Sequence, residues 1–290
     1  MSYLLDILVQ VNLYVAVAVA LNLLAGYTGM LSLCMAAFFG TGAYAAALLP
    51  LRLDWPWPLA VGAGVAISGI LAILIGAATM RFRDDYFAIA TFALQVIVTS
   101  LMINWVDITQ GPLGVAGIAP PVLFGWQVDE RLEFLLLAVA FAAGTVALSL
   151  RLVRSPYGRL LRTIREDEIL AQALGKNVAA ARMSAFVVGA VFAAAAGAIY
   201  APYVSYIDPY SFDVNESIFI LAIVIIGGAG NIWGAVFGAA FLATLPEALR
   251  FLDAGASWRQ IVYGALLAGC MVWRPQGFFG RYAFQGTRRA

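Results

Sequence analysis

Lys176 is the only lysine in the chain, and its neighbours are not those of a nucleotide site. A phosphate-cradling loop runs Gly, four residues, then Gly-Lys-Ser/Thr, so that backbone amides, an ammonium and a magnesium-binding hydroxyl converge on the phosphates. Here the run is Leu170-Ala171-Gln172-Ala173-Leu174-Gly175-Lys176-Asn177, without the first glycine or the hydroxyl. ATP, if it is used, is bound by another chain. No HExxH or GxSxG motif occurs and no paired carboxylates fall in an apolar pocket, so an intramembrane enzyme has little support. The chain has no histidine, which removes the commonest metal ligand and near-neutral proton switch. Cys34 and Cys270 lie in apolar runs and read as packing residues, not as a disulfide or zinc framework. No cofactor, metal or catalytic residue is expected.

The polar side chains that remain inside or beside apolar runs are Asn12, Asn22, Thr91, Gln95, Asn215, Glu216 and Asn231. Only Glu216 is charged, and its place near the end of a segment reads as an interfacial acid facing water. Proton- or sodium-coupled carriers rely on membrane-embedded acids or unwound coordination sites, so this inventory disfavours one. Neutral amides suit the path of a polar or zwitterionic solute and serve equally as helix-to-helix hydrogen bonds; both readings stand for Asn22, Thr91, Gln95 and Asn231. Met35 joins them as a path candidate on grounds given below.

These residues sit in a chain of 290 residues that is 63% hydrophobic, 11% charged and +0.91 in mean hydropathy, far more apolar than ordinary globular usage. It is an integral membrane protein. A formal net charge of +1 points to no nucleic-acid partner. A span needs roughly 20 apolar residues, which places helices near 4–25, 31–50, 57–80, 85–105, 132–153, 183–206, 232–250 and 258–274. The apolar run Asn215–Ile226 is shorter and ends at Gly227-Gly228-Ala229-Gly230, the pattern of a half-helix broken within the membrane. With no basic residue before Arg52, a cleavable leader is not expected and the first apolar segment should be retained. The expected fold is therefore all-α, a single transmembrane domain over residues 1–290 with about 8–9 transmembrane helices.

Between spans lies Arg151–Arg182, which holds seven of the seventeen basic residues with Glu166, Asp167 and Glu168 in its middle; it must lie in water. Ser155-Pro156 opens a helix that can run to Leu174, and Gly175 suits its C-cap. Leu161, Ile164, Ala171 and Leu174 fall near one side, making an amphipathic element that docks on either membrane lipid headgroups or a protein. Basic residues sort cleanly: thirteen lie on the face of this segment, while Arg52, Arg131, Arg250 and Arg259 share the other with most acids. Since basic residues are retained inside, the amino terminus is outside and the carboxyl terminus cytoplasmic. Gly26, Gly29 and Gly40 open the second span, and Gly227, Gly228 and Gly230 echo them before an Ala-rich run. Related halves are common in transporters, but Gly and Ala also simply let membrane helices approach.

Four blocks make the chain recognisable: Leu21–Leu49 (LNLLAGYTGMLSLCMAAFFGTGAYAAALL), Arg83–Gln95 (RDDYFAIATFALQ), Ser155–Val178 (SPYGRLLRTIREDEILAQALGKNV) and Gly227–Arg250 (GGAGNIWGAVFGAAFLATLPEALR). In order and spacing they resemble the permease subunits of branched-chain amino acid ABC importers, and more closely the LivM-like branch. The resemblance implies a permease of a bacterial inner membrane importer working with a second, LivH-like permease, two ATP-binding subunits and a periplasmic solute-binding protein. It also implies that 154–182 is the cytoplasmic coupling segment that docks on the ATPase, with Arg162, Arg165, Glu166, Asp167, Glu168, Ala171 and Gly175 in it. One departure is Met35, where relatives carry a polar side chain; if that position faces the solute, specificity differs here, and urea or short amides join branched-chain amino acids as substrates to consider. A secondary carrier or passive channel for a small neutral solute is the alternative.

Overall fold

The computed structural model describes residues 2–80, 84–123, 126–250, 264–265, 269 and 277–280. The expected span at 258–274 lies almost wholly outside them. The first helix, α1 (Ser2–Leu21), continues into a π-turn at Asn22–Gly26. It is followed by α2 (Met35–Leu53), α3 (Trp57–Thr79), α4 (Asp84–Asn104), the single turn α5 (Val106–Thr109) and α6 (Arg131–Arg154). The polar segment forms α7 (Pro156–Glu166) and α8 (Glu168–Ala173), and α9 (Val178–Val204), α10 (Val214–Gly227) and α11 (Ile232–Arg250) complete the described helices. Six of these are long and apolar enough to cross a membrane. Two-residue antiparallel ladders pair β1 (Val115–Ala116) with β4 (Tyr206–Ile207) and β2 (Val122–Leu123) with β3 (Trp126–Gln127).

Sequence decides which helices are central. A helix apolar all round is either core or membrane, and α1 and α9 bury residues on every side. The α2–α9 crossing is built on glycine: a methyl at Gly42 would be driven into the Ala194 carbonyl, and one at Gly197 into the Phe39 carbonyl. Such close approach of backbones is the usual basis of association where lipid is as apolar as the side chains. Peripheral helices bury one narrow stripe only. In α3 it is Ala60, Gly64, Ser68, Ala72, Ile75 and Thr79, and in α6 it is Phe134, Ala138, Ala142, Thr145, Ser149 and Val153, both near the i, i+4 spacing of one helix face. Leu59, Ile70 and Leu74 of α3 and Leu132, Leu136 and Leu148 of α6 are exposed, as suits a lipid-facing surface.

Three boundaries differ from the sequence reading. The second span starts at Met35 and not at 31, because residues 27–34 form an irregular, largely buried segment with Gly29 at φ +80°. The span expected from 183 begins at Val178, where the Asn177 side chain caps α9 by accepting from Ala180 N–H at 3.0 Å. The polar segment is two helices, not one. Asp167 takes an extended backbone (φ −154°, ψ 105°) and accepts from Leu170 N–H at 3.0 Å, so it ends α7 and caps α8.

The short helix α10 is as expected. Its 14 residues reach about 21 Å at 1.5 Å each, short of a ~30 Å hydrocarbon core. It stops at Gly228 (φ +110°), with Gly230 (φ +83°) two residues on, conformations that glycine adopts without the Cβ penalty. The last carbonyls of α10 are covered: Phe278 N–H donates to Ile226 O at 2.9 Å and Phe279 N–H to Gly227 O at 3.0 Å.

Candidate functional site

Two polar assemblies stand out in this apolar body. The first surrounds the buried start of α2, whose first backbone N–H groups have no partners within the helix. Cys34, the residue before it, makes no capping bond of its own to the helix. Side chains from other helices supply the acceptors. Thr91 Oγ1 on α4 accepts from Leu33 N–H at 3.1 Å, Ser217 Oγ on α10 accepts from Ala36 N–H at 3.0 Å, and Gln95 Oε1 on α4 accepts from Ala37 N–H at 2.8 Å. Gln95 is fully engaged: Oε1 also accepts from Ser217 Oγ at 3.1 Å, while Nε2 donates to Phe212 O at 2.8 Å and Thr99 Oγ1 at 3.2 Å. Thr91, Gln95 and Ser217 are all buried. Backbone groups left unpaired at membrane depth survive only where protein satisfies them: Thr91 does so for Leu33 in the irregular segment, and Ser217 and Gln95 for the first-turn N–H groups of Ala36 and Ala37 in α2. Ser217 was not among the residues singled out from sequence; the cue was a hydroxyl in the first turn of the short helix. Met35, the first residue of α2, is buried against the Gly189 region of α9.

Asn22 and Asn231 form the second junction. Asn22 Oδ1 accepts from Gly230 N–H at 2.9 Å and its Nδ2 donates to Asn231 O at 3.0 Å, so the π-turn of α1 is clasped to the glycine turn after α10. Gly26 must lack a side chain, since a methyl there would strike Asn22 Oδ1 and Gly230 N. Asn231 caps α11 through Trp233 N–H at 3.1 Å and donates to Phe279 O at 2.9 Å. The two glycine clusters that echo each other in sequence thus meet. Gly40 lies against the Phe212 ring and Gly227 against Gly234 and Gly238, while a side chain on Gly228 would meet Gly280.

The α7–α8 element is strapped to this junction. Arg165 Nη1 donates to Gly26 O, and the Arg165 stem lies 3.2 Å from where a Gly29 Cβ would stand. Arg162 places its guanidinium 5.4 Å from the Tyr27 ring centroid and donates to Val153 O at 3.3 Å. Glu168 pairs with Arg182 of α9 at 3.0 Å, and Tyr157 shares a 2.8 Å hydrogen bond with Ser184. Leu161, Ile164 and Ala171 are buried as the amphipathic pattern predicts. Leu174 is not. It is 64% exposed, beside Ile169 at 72% and Leu170 at 51%, because the break at Asp167 turns α8 away from the face that α7 buries. Gly175 (φ +72°) closes α8 in a Schellman motif, with Lys176 N–H on Ala171 O at 3.1 Å and Gly175 N–H on Gln172 O at 2.9 Å. The charges of Arg162, Arg165 and Glu168 thus face the membrane body, Glu166 is exposed, and the outward surface of α8 is apolar.

A helical body with six spanning-length helices, a glycine-broken half-helix and an amphipathic element strapped to its discontinuities is the architecture of a multi-pass membrane permease. Residues 3–271 match the model of the branched-chain amino acid transport system / permease component family, and the chain belongs to that family. It is 31% identical over 295 residues to the high-affinity branched-chain amino acid transport system permease protein LivM of Salmonella typhimurium, covering 94% of this chain and 69% of that one. It is 32% identical over 299 residues to LivM of Escherichia coli with the same shares. Similarity to the permease protein LivH of Escherichia coli is 28% over 290 residues, covering 92% and 91%. No solved structure matches. Relatives of this family are transport subunits, and this chain is a LivM-like, multi-pass membrane transport protein.

Proposed function

We propose that the chain is a translocating subunit of an ATP-driven, binding-protein-dependent importer in the bacterial inner membrane, carrying branched-chain amino acids or a related small polar solute. It pairs with a LivH-like second permease, two ATP-binding subunits and a periplasmic solute-binding protein. The sorting of basic residues supports a periplasmic amino terminus and a cytoplasmic carboxyl terminus. Residues 154–182 act as the coupling segment within the single permease domain, and Met35, Asn22, Thr91, Gln95 and Asn231 border the discontinuities that must rearrange as the path opens.

The observation that carries the coupling role is the two-sidedness of α7–α8. One side is bonded to the discontinuities through Arg165 on Gly26 and Arg162 on Tyr27; the other offers Ile169, Leu170 and Leu174 to a partner. A rigid push on α8 is then delivered to the π-turn and onward through Asn22 to the turn after α10, the kind of small shift that a bistable packed interface amplifies. The test is Ile169→Glu with Leu170→Glu in the assembled complex. The variant should insert normally and lose the ATP-binding subunits on purification, or keep them while hydrolysis no longer responds to loaded binding protein. Normal assembly with normal stimulated hydrolysis would remove the coupling role from this segment.

A further inference from the structure

Phe212 lies at the end of the connection between α9 and α10 and is wholly buried, while its neighbours Tyr210 and Ser211 are exposed. The connection leaves α9 at Ser205 (φ +60°), pairs β4 with β1 and closes in a 3-10 turn (Pro209–Phe212), where the Asp208 side chain accepts from Ser211 N–H at 3.0 Å. Its last residue is driven into the helical body. The Phe212 ring meets Phe39, Tyr44 and Tyr200 edge-on at centroid distances of 5.5, 6.1 and 6.2 Å, and a Cβ on Gly40 would stand 2.8 Å from it. Its carbonyl accepts from Gln95 Nε2 at 2.8 Å and from Thr99 Oγ1 at 3.3 Å. An apolar anchor for a loop accounts for the ring but not for the polar groups around it. Buried hydroxyls are ordinarily hydrogen-bonded, yet Tyr44, whose ring packs on Phe212, buries its hydroxyl with no partner among the described residues. A carbonyl and an apolar side chain borne on one carbon are also the layout of a small apolar solute.

We propose that Phe212 is a plug built into the chain, holding the solute's place between α2, α4 and α9 until the turn that carries it is withdrawn. A solute with a carboxylate or amide carbonyl and an apolar side chain then takes over the donors of Gln95 and Thr99, adds the unpartnered Tyr44 hydroxyl, and sets its side chain where the ring lay. Withdrawal is coupled to α10. Asp213, the next residue, caps α10 by accepting from Asn215 N–H at 2.8 Å, and Ser217 of α10 donates to Gln95 Oε1 at 3.1 Å, so a shift of α10 moves Phe212 and loosens its amide partner together. The far end of α10 is clasped to the π-turn through Asn22, and the π-turn is bonded to Arg165. A push on α7–α8 thus reaches Phe212 along one short helix, a rigid element of the kind that carries coupling between sites. This assignment rests on the importer reading above and adds to it the residue that closes the site.

The test is equilibrium binding of radiolabelled L-leucine to the purified complete complex without ATP or binding protein, alongside ATP-dependent leucine uptake in proteoliposomes. A site masked by the chain's own side chain binds in proportion to the fraction of molecules in which it is open, so Phe212→Ala should bind leucine roughly tenfold or more tightly than the unsubstituted complex. Adding Tyr44→Phe to Phe212→Ala should take back part of that gain, which loosened packing alone would not do. Equal binding by the unsubstituted and Phe212→Ala complexes overturns the proposal, and so does a gain that Tyr44→Phe leaves untouched. If Phe212→Ala does not assemble, Tyr44→Cys decides, in a chain with Cys34 and Cys270 replaced. Its thiol should be protected from a membrane-impermeant reagent in the resting complex and react once loaded binding protein and vanadate trap the complex; equal reactivity in the two states overturns the plug. Absence of ATP-dependent leucine uptake by the unsubstituted complex would instead overturn the importer reading, and this inference with it.

Discussion

Gln95→Leu replaces an amide by an apolar group of nearly the same volume, so packing is conserved and hydrogen bonding is the only thing removed. Four contacts end: those to Ala37 N–H, Ser217 Oγ, Phe212 O and Thr99 Oγ1. Phe212 O keeps a donor, since it still accepts from Thr99 Oγ1 at 3.3 Å, and Ser217 Oγ goes on accepting from Ala36 N–H although its own O–H loses its acceptor. Ala37 N–H keeps no acceptor, and an orphaned buried donor costs about 1–3 kcal/mol. At about 2–4 °C per kcal/mol for a chain of this order of size, the thermal unfolding midpoint of the purified protein should fall by about 2–12 °C. Val96→Leu, one residue on but exposed, is the control and should stay within about 0.5 kcal/mol of the unsubstituted protein. A Gln95→Leu protein as stable as the control would refute the capping argument, and if its uptake fell all the same, Gln95 would be a solute contact.

Gly42→Val should be more severe, because the side chain must displace the Ala194 backbone at the α2–α9 crossing; the expected result is loss of monodisperse protein in detergent, and retention of a normal elution profile would count against the crossing. Gly175→Val places a β-branched residue at φ +72°, which costs on the order of 1–2 kcal/mol; the complex should fold but show weakened binding-protein stimulation of hydrolysis, with unchanged stimulation as the contrary outcome. Lys176→Cys, in a chain with Cys34 and Cys270 replaced, should react in intact cells only with membrane-permeant thiol reagents. Lys176 is the better site than Asn177, whose side chain caps α9, and labelling by an impermeant reagent would reverse the orientation.

Much of the fold was legible because membrane spans announce themselves by length and apolarity, and the half-helix by its glycines. The irregular stretch 27–34 was not, since YTGMLSLC carries the same apolar residues as a span and only Gly29 marks it. The split at Asp167 was hidden for a similar reason: Glu166-Asp167-Glu168 continues a hydrophilic face, and only the capping bond to Leu170 N–H reveals an end. The exposure of Leu174 follows from that split. Thr91 and Gln95 were visible as buried polar groups four residues apart on one face of α4, yet their partners at Leu33 and Ala37 are 58 residues away in the chain. Periodicity reports the face of a residue and not its distant partner, so whether an amide lines a path or caps a helix could be read only with the backbone in place. Glu216 reads as an interfacial acid because sequence places it at a segment end; its half-burial goes with the packing of α10 on α1, where Tyr14 meets Phe219 edge-on at 5.3 Å.

The importer reading is tested most directly by solute accumulation. The chain, reconstituted in proteoliposomes with its LivH-like partner, the ATP-binding subunits and the binding protein, should accumulate a labelled branched-chain amino acid or short amide against its gradient. Accumulation should require both enclosed ATP and external binding protein, and should fail when either is omitted. Equilibration without ATP would make the chain a passive channel, and accumulation driven by a proton or sodium gradient in the absence of the ATP-binding subunits would make it a secondary carrier; either result contradicts the account.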